Sequence, residues 1–489
     1  MLFNSYVFLL FFLPFTWCVY YIFNHFKWYR TAQGALVAAS FLFYGYEDYH
    51  LCFVLLGTIL VNYGMHFLFV EKIKKYRLRK ILLVLGIVAN FGLLFYFKYF
   101  NFLLENLNRF AGSDFTMKNI VMPLGISFFT FQQVSFLVDS YKGDVGRVDF
   151  LDYALFVSFF PQLVAGPIVL YKEMIPQFKD LSKRKIQYDN LIAGLEYLIL
   201  GFSKKVLIAD NFARICDAGY AGLMELNSLS AILTMLAFTL EIYFDFSGYC
   251  DMAIGLGKLF NIQIPYNFES PYRSVTIGEF WKRWHMTLTR FLTTYLYIPI
   301  GGNRKGKIRT YVNVMIVFTL SGLWHGAQWT HVIWGMLHGF MMVVYRMGKR
   351  VWDRLPKIVL WICTFSFVNV AWTFFRADYF RQPFRLFERI IHGGGGWCAE
   401  SMVGAFCEGS LWMTVFQAFF TDGQLQIICQ TALGIWFLVW TTGCVYFPSS
   451  HEIVKKQYRS NTYFLYLGIL LAWSFMWLSQ MSKFIYFNF

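Results

Sequence analysis

Long apolar runs dominate the chain and alternate with short polar connections. Runs close to the length of a membrane span lie at residues 51–70, 81–100, 229–246, 311–324, 358–375, 427–447 and 463–478. With the shorter or broken runs between them, they predict roughly 10–13 membrane-embedded helices, because a crossing helix needs about 20 apolar residues. The pattern indicates an all-α polytopic membrane protein. No polar stretch exceeds an ordinary inter-helix loop, so we predict a single membrane domain over residues 1–489.

Composition and charge agree with a membrane location. Of the residues, 57% are hydrophobic and 21% aromatic, and only 15% are charged, whereas about 25% are charged in typical soluble chains. The net charge is +15, but the basic residues lie in short connections between apolar runs, where they report orientation. We therefore expect membrane lipids, and not nucleic acid, as the surroundings of this protein.

The basic connections predict how the chain is oriented in the membrane. The densest basic cluster, at residues 72–80, marks the cytoplasmic side. Counting back from it places the N-terminus outside, and basic residues before the final span place the C-terminus outside. No charged n-region or small-residue cleavage site precedes Asn24, so the first apolar run is interpreted as a span and not as a signal peptide.

Two apolar segments are interrupted in ways that a plain span is not. Proline and glycine interrupt residues 159–167, and charged side chains are mixed with bulky aromatic ones over residues 278–297. Non-helical backbone at membrane depth is tolerated only where protein or a water-filled cavity satisfies it. We therefore predict re-entrant or interfacial segments at both places, lining a site within a helix bundle that surrounds a central funnel.

The cysteines give little indication of a metal or redox site. The chain has nine cysteines but no CxxC pair, which argues against a structural metal site or a dithiol centre. Only Cys398 and Cys407, in a predicted outer loop, are placed to form a disulfide, and two free thiols fit the sequence equally well. We predict no metal and no tightly bound cofactor.

Polar residues concentrate between residues 241 and 306, and His325 follows them, between two glycines in an apolar segment. An ionisable residue at membrane depth is a functional-site hypothesis. A packing role, with hydrogen bonds across helices, is the alternative for His325 alone. An ion-paired belt at the cytoplasmic interface accounts for most of the neighbouring Lys and Arg residues. The region 241–340 is nevertheless the predicted catalytic core.

This core carries a set of motifs that resemble one known family. The motifs are YFDFSGY at 243–249, DMAIGLG at 251–257, NF and PY at 267–272, FWKRWH at 280–285, YLYIP and GGNR at 295–304, and GLWHGA at 322–327. Together with segments at 122–128, 160–167 and 372–377, they resemble the membrane-bound O-acyltransferase (MBOAT) family over nearly the whole chain. The similarity is to its bacterial alginate O-acetyltransferase branch, which includes peptidoglycan O-acetylation proteins and the D-alanyl transferase of teichoic acids.

The resemblance implies an enzyme of the bacterial inner membrane that passes an acyl group, in the first place acetyl, across the membrane to a polysaccharide. It implies a cytoplasmic thioester donor, either acetyl-CoA or an acyl carrier protein. His325 matches the catalytic histidine of the family, and His285 matches a second, more variable one. An imidazole can deprotonate a hydroxyl and return the proton to a thiolate. His331 and His338 are expected to pack within the protein.

Substrate-binding residues and a partner are predicted from the same region. We assign substrate binding to Trp324, Asp245, Asn267, Arg283 and Trp284. No extracytoplasmic domain able to grip a polymer is evident in the sequence. We therefore expect a separate extracytoplasmic acyltransferase to deliver the acyl group to the polysaccharide.

The last six residues, 484–489, read FIYFNF. They resemble a C-terminal Phe-x-Tyr-x-x-Phe motif of this branch, in which the tyrosine is implied to carry the acyl group, and Tyr486 takes that position. An interfacial aromatic belt is the alternative. Basic residues at 305–309 place the start of the His325 span on the cytoplasmic side. His325 then lies about 22 Å along that span, in the outer half of the bilayer. A tail that folds inward from the outer surface could therefore reach His325.

Two other functions remain open from the sequence. The first is D-alanyl transfer to teichoic acid, within the same enzyme class. The second is a secondary transporter, which would also have broken helices and polar residues near the midplane. No inverted repeat is evident, and the polar residues are concentrated in one part of the chain instead of in two matching clusters.

Overall fold

The structure is a computed structural model, and it describes residues 1–408, 413, 416–456, 460–478 and 484–485. Helices form the regular structure of this part of the chain, and it contains no β-strand. The prediction of an all-α protein is confirmed.

Six of the described helices are long and apolar enough to cross a membrane: Phe8–His25, His50–Lys72, Tyr76–Ala111, Ser228–Leu259, Lys357–Arg376 and Asp422–Tyr446. The remaining predicted runs, 311–324 and 463–478, correspond to the helices Lys307–His325 and Asn461–Met476. The protein is therefore a multi-pass membrane protein, as predicted. The number of 10–13 embedded helices stays a prediction.

The chain forms two compact units. The first contains Met1–Ile199 and Tyr249–Tyr266, and the second contains Leu200–Gly248 and Asn267–Phe489. The division falls within the helix Ser228–Leu259. The assignment of residues 1–489 to one domain stays a prediction, as does its subdivision into a core at 241–340 and a tail at 484–489.

The helices of the first unit are Phe8–His25, Tyr29–Tyr44, His50–Lys72, Tyr76–Ala111, Ile126–Lys142, Phe150–Ser158, Phe160–Leu163, Tyr171–Lys179, Leu181–Arg184, most of Tyr188–Ser203 and the end of Ser228–Leu259. Three of them are joined by a buried amide network. The Asn62 amide donates to Asn90 Oδ1 over 3.1 Å and to Gln133 Oε1 over 2.7 Å. Gln133 in turn donates to Thr58 Oγ1 over 3.0 Å. Such interhelical bonds in membranes stabilise by about 0.6 kcal/mol each.

The predicted interruption at residues 159–167 is present in the first unit. The helix Phe150–Ser158 ends at Phe159, whose ψ of 109° leaves the helical region, and the single turn Phe160–Leu163 follows. Pro161 lies in the first turn of that short helix, where its missing N–H costs nothing. Residues 159–163 are fully buried. Protein therefore surrounds this irregular backbone.

The helices of the second unit begin with the end of Tyr188–Ser203 and continue with Lys204–Ala209, Asp210–Ala221, Leu223–Glu225, the greater part of Ser228–Leu259, Pro271–Arg273, Ile277–Arg283, Met286–Leu292, Thr293–Tyr297, Lys307–His325, Trp329–Met347, Lys349–Trp352, Lys357–Arg376, Gln382–His392, Glu400–Cys407, Asp422–Tyr446, Ser450–Lys455 and Asn461–Met476. Cys398 and Cys407 are both buried, and neither forms a disulfide. Of the two alternatives left open by the sequence, the structure has the unbridged one.

Two consecutive helices of this unit, Lys307–His325 and Trp329–Met347, touch at glycines. A Cβ at Gly322 would lie 2.3 Å from the carbonyl oxygen of His331, and Gly335 meets the first helix in the same way. Small residues let membrane helices approach closely. The contact fixes the C-terminal end of the first helix, where His325 lies three residues beyond Gly322.

We expect Gly322→Ala to lower the apparent thermal midpoint of the protein in detergent, because the added methyl group must displace backbone at a strain of about 1–3 kcal/mol. Gly434→Ala is the matched control, since a Cβ at Gly434 would meet nothing within 4 Å. The midpoints can be measured with a thiol-reactive dye that reports exposure of the buried cysteines. Equal midpoints for the two variants would contradict the close helix contact.

Candidate active site

His325 is the last residue of the helix Lys307–His325 and is buried within an aromatic cage. The centroid of its ring lies 5.1 Å from that of Trp334 at 89°, 4.8 Å from that of Trp324 and 5.3 Å from that of Phe375. The carbonyl groups at the end of a helix carry partial negative charge. They can stabilise the positive charge that develops when the imidazole accepts a proton.

His285 lies in the two-residue connection between the short helices Ile277–Arg283 and Met286–Leu292. Its φ of 44° and ψ of 53° lie in the left-handed region, which is unusual for a residue other than glycine. Such strained positions cost about 1–3 kcal/mol and cluster at functional sites. The predicted interruption of the segment 278–297 is thus present, and it places a fully buried imidazole at the break.

Asn267 orients the His285 ring. Asn267 Oδ1 lies 3.1 Å from His285 Nδ1, and it accepts from the Thr287 backbone N–H over 3.1 Å and from Thr287 Oγ1 over 2.9 Å. Because a backbone N–H can only donate, the Asn267 atom at this point is the carbonyl oxygen. His285 Nδ1 must then carry the hydrogen. In the neutral ring the lone pair is consequently on Nε2.

The two histidines lie next to each other. Their ring centroids are 6.2 Å apart, and Trp324 lies 6.2 Å from His285. Phe246, on the helix Ser228–Leu259, packs edge-on against His285 at 4.8 Å. The structure therefore brings together four of the residues predicted from the sequence: the two histidines, Trp324 and Asn267.

The predicted residues Trp284 and Arg283 have other neighbours. Trp284 is buried among aromatic rings, stacked on Phe280 at 5.6 Å and 4.9 Å from Trp372. Arg283 pairs with Glu279 over 3.0 Å and donates to the backbone carbonyl of Glu269 over 3.1 Å. Substrate binding by these two residues stays a prediction.

Asp245, also predicted to bind substrate, belongs to a buried ionic cluster. Lys205 Nζ lies 2.6 Å from Asp245 Oδ1 and 2.8 Å from Asp210 Oδ1. Lys205 and Asp210 are not among the residues predicted from the sequence. Charged residues recur between 204 and 217, and nothing in their order marks these two as buried.

The further histidines, His331 and His338, lie in the same aromatic region. Trp281 Nε1 donates to His338 Nδ1 over 3.3 Å, and the ring of Trp334 lies 4.9 Å from that of His338. The ring of His331 lies 4.8 Å from that of Phe375. Both side chains are therefore packed against aromatic rings.

The predicted acyl carrier Tyr486 lies outside the described residues. The two residues before it, Phe484 and Ile485, are described and are buried. The Ile485 backbone N–H donates to Asp245 Oδ2 over 2.9 Å.

A cavity of about 580 Å³ lies elsewhere in the second unit. Four tryptophans contribute to its mostly apolar lining: Trp436, Trp440, Trp473 and Trp477. Neither His285 nor His325 lines it. In the part of the chain that the structure describes, no three His, Cys, Asp or Glu residues are grouped so that they could hold a metal ion.

A sequence model of the membrane-bound O-acyltransferase (MBOAT) family matches residues 104–378 of this chain. This range includes both histidines and more than half of the chain. The chain belongs to the membrane-bound O-acyltransferase family. It is therefore a membrane-bound O-acyltransferase, and the family expected from the motifs is confirmed.

Three proteins of known name are similar to this chain over about half or more of its length. The peptidoglycan O-acetyltransferase of Helicobacter pylori is 38% identical over 100% of this chain and 98% of its own length. The probable alginate O-acetylase AlgI of Pseudomonas aeruginosa is 37% identical over 81% of this chain and 75% of its own. The teichoic acid D-alanyltransferase of Bacillus subtilis is 27% identical over 54% of this chain and 71% of its own.

Proposed function

We propose that this MBOAT protein moves an acetyl group from a cytoplasmic thioester, acetyl-CoA or an acyl carrier protein, to a polysaccharide outside the bacterial inner membrane. The observation that carries the proposal is the buried pair of His285 and His325, with ring centroids 6.2 Å apart. Both termini are proposed to lie on the extracytoplasmic side. Peptidoglycan is the first acceptor to test, because the Helicobacter pylori relative that is similar over the full chain is named a peptidoglycan O-acetyltransferase.

The proposed chemistry is acyl transfer with His325 as general base. His325 takes the proton of the Tyr486 phenol as its oxygen attacks the thioester carbonyl. The carbon–oxygen bond forms, the carbon–sulfur bond breaks, and the proton passes from His325 to the leaving thiolate. A base in this role contributes on the order of 10²–10⁴ in rate. The aromatic cage around His325 excludes water that would otherwise hydrolyse the thioester.

In the same scheme, His285 positions the reacting groups. Its Nδ1–H is held by Asn267, so Nε2 is the nitrogen able to accept a hydrogen bond from a substrate. Trp324, beside both histidines, is proposed to contact the acyl group or the donor. Further substrate-binding roles are proposed for Asp245, Arg283 and Trp284.

We expect His285→Ala to lower acyl transfer by about tenfold, a smaller loss than for His325→Ala, because it removes a positioning hydrogen bond and leaves the base in place. Initial rates of thioester-dependent transfer in proteoliposomes would measure both variants. A loss as complete as that of His325→Ala would show that His285 shares the central chemical role.

The acyl ester of Tyr486 is proposed to be an intermediate. A separate extracytoplasmic acyltransferase would take the group from Tyr486 and pass it to the polymer. Acetyl is favoured over D-alanyl, since the O-acetylating relatives cover 81–100% of this chain and the D-alanyltransferase covers 54%.

Reconstitution of the purified protein in liposomes tests this function. Radiolabelled acetyl-CoA, acetyl-acyl carrier protein and D-alanyl carrier protein are offered in parallel, and the label bound covalently to the protein is measured. Label from an acetyl thioester, with release of free thiol, supports acetyl transfer, and label from the D-alanyl thioester alone supports the second enzyme. Absence of label from all three donors would overturn the proposal.

A further inference from the structure

Three charged side chains form an ionic cluster in the interior of the second unit. The Lys205 ammonium contacts Asp245 over 2.6 Å and Asp210 over 2.8 Å. The exposed fractions of the three residues are 1%, 1% and 4% in that order. Burying such groups is costly, and an apolar core of the same volume is often at least as stable. Asp245 lies in a helix long and apolar enough to span a membrane, and an ionisable residue in such a segment is a functional candidate.

The C-terminal segment is seated on this cluster. The Ile485 backbone N–H donates to Asp245 Oδ2 over 2.9 Å. The ring centroid of Phe484 lies 4.5 Å from the Lys205 ammonium, in a cation–π contact. Phe484 is 2% and Ile485 8% exposed.

The two oxygens of Asp245 have different partners, which explains why this site suits a backbone amide. Oδ1 contacts the Lys205 ammonium, and Oδ2 accepts from the Ile485 N–H. A hydrogen bond from an N–H group to a carboxylate is stronger than one between neutral groups. The contact depends on the peptide group of Ile485 and on the ring of Phe484, and both belong to the segment that precedes Tyr486.

The cluster also lies at the level of the active site. Asp245 and Phe246 are consecutive residues of one helix, so they differ in height by about 1.5 Å. Phe246 packs against His285 at 4.8 Å. Asp245, which accepts a hydrogen bond from the C-terminal segment, is thus next in sequence to Phe246, which contacts His285.

We propose that Lys205, Asp210 and Asp245 form a dock for the protein's own C-terminal segment, which positions Tyr486 for acyl transfer. The inference rests on the proposed role of Tyr486 as acyl carrier. The three residues are positioning residues: Asp210 and Lys205 hold Asp245, and Asp245 with Lys205 holds the segment. The acceptor of the first transfer is therefore delivered from within the same chain.

Hydrogen–deuterium exchange tests the dock without reference to activity. In the full-length protein in nanodiscs, the Ile485 amide should exchange about 100-fold more slowly than an unstructured amide, because opening of the dock must precede exchange. Lys205→Met should abolish this protection, because it removes the ammonium that contacts both Asp245 and the Phe484 ring. Exchange of the wild-type amide at the unstructured rate would overturn the dock.

Variants of residues 484 and 485 test whether the dock matters for acyl transfer. They leave Lys205, Asp210 and Asp245 unchanged, so this test does not depend on whether a Lys205 variant folds. Ile485→Pro removes the donated N–H and should lower acetyl labelling of Tyr486 by about tenfold or more, as misplacement of a reacting group does. Ile485→Val keeps the N–H and should label normally. Phe484→Leu removes the ring and should also lower labelling, whereas Phe464→Leu, at an exposed position of the last helix, should not.

The two readouts separate the dock from the carrier. Slow exchange at Ile485 with no acetyl on Tyr486 in the active wild type would reject the carrier and, with it, the function of the dock, although the contact itself would stand. Undiminished labelling of Tyr486 in both Ile485→Pro and Phe484→Leu would overturn the dock and leave the carrier in place. Loss of labelling in these two variants, with normal labelling in their controls, would support both.

Discussion

Replacement of His325 with alanine should lower acyl transfer by a factor on the order of 10²–10⁴, the usual contribution of a general base. The loss should appear in initial rates of thioester-dependent transfer, with the variant still inserted and monodisperse in detergent. His325 lies at a helix end and is packed by rings on several sides. Loss of its side chain therefore removes the base without breaking a helix.

The matched control is His66→Ala. His66 is also a buried histidine, and its Nδ1 lies 2.8 Å from Ser140 Oγ, within the first unit. Its replacement should cost some stability and leave the rate of transfer within a factor of about two to three, as for residues remote from the chemistry. Equal loss in both variants would indicate that a buried histidine matters for folding and would remove the case for His325 as base.

Tyr486→Phe should abolish acetylation of the polymer as fully as His325→Ala does. The change keeps the ring and nearly all of the volume, and it removes only the hydroxyl on which an ester forms. An aromatic anchor at the membrane surface would tolerate this change. Polymer acetylation in whole cells, measured as acetate released by mild alkali, would report the result.

Tyr466→Phe is the control for this experiment, because Tyr466 is an exposed tyrosine on the last helix before the tail. It should leave acetylation unchanged, and immunoblots should show both variants in the membrane at normal levels. Normal polymer acetylation in Tyr486→Phe would reject the relay through this residue. Membership of the MBOAT family would be unaffected, and the role of the histidines would be judged separately.

Much of the fold follows from local patterns in the sequence. The apolar runs lie within helices because a long apolar segment has to satisfy its backbone internally. The interruptions at Phe159 and His285 were predicted for the same reason: proline, glycine or clustered charges disrupt a plain span. The motifs around His325 and His285 led to the family, and the structure places those two rings side by side.

The partners of individual side chains could not be predicted in this way. Lys205 and Asp245 are far apart in sequence, and their pairing depends on how each helix is rotated, which hydropathy does not determine. Asp245 was predicted to bind substrate, and its observed partners are Lys205 and the backbone of Ile485. The left-handed conformation of His285 likewise depends on tertiary contacts, among them the bond to Asn267.

The most direct test of an acyl relay through Tyr486 is mass spectrometry of the C-terminal peptide, isolated from membranes that are actively acetylating polymer. We expect an acetyl ester on Tyr486 in the wild type and none in His325→Ala, because the base is needed to load the phenol. The ester should accumulate when the extracytoplasmic partner enzyme is removed. Active wild-type membranes without any ester on Tyr486, or an ester that persists in His325→Ala, would contradict the relay.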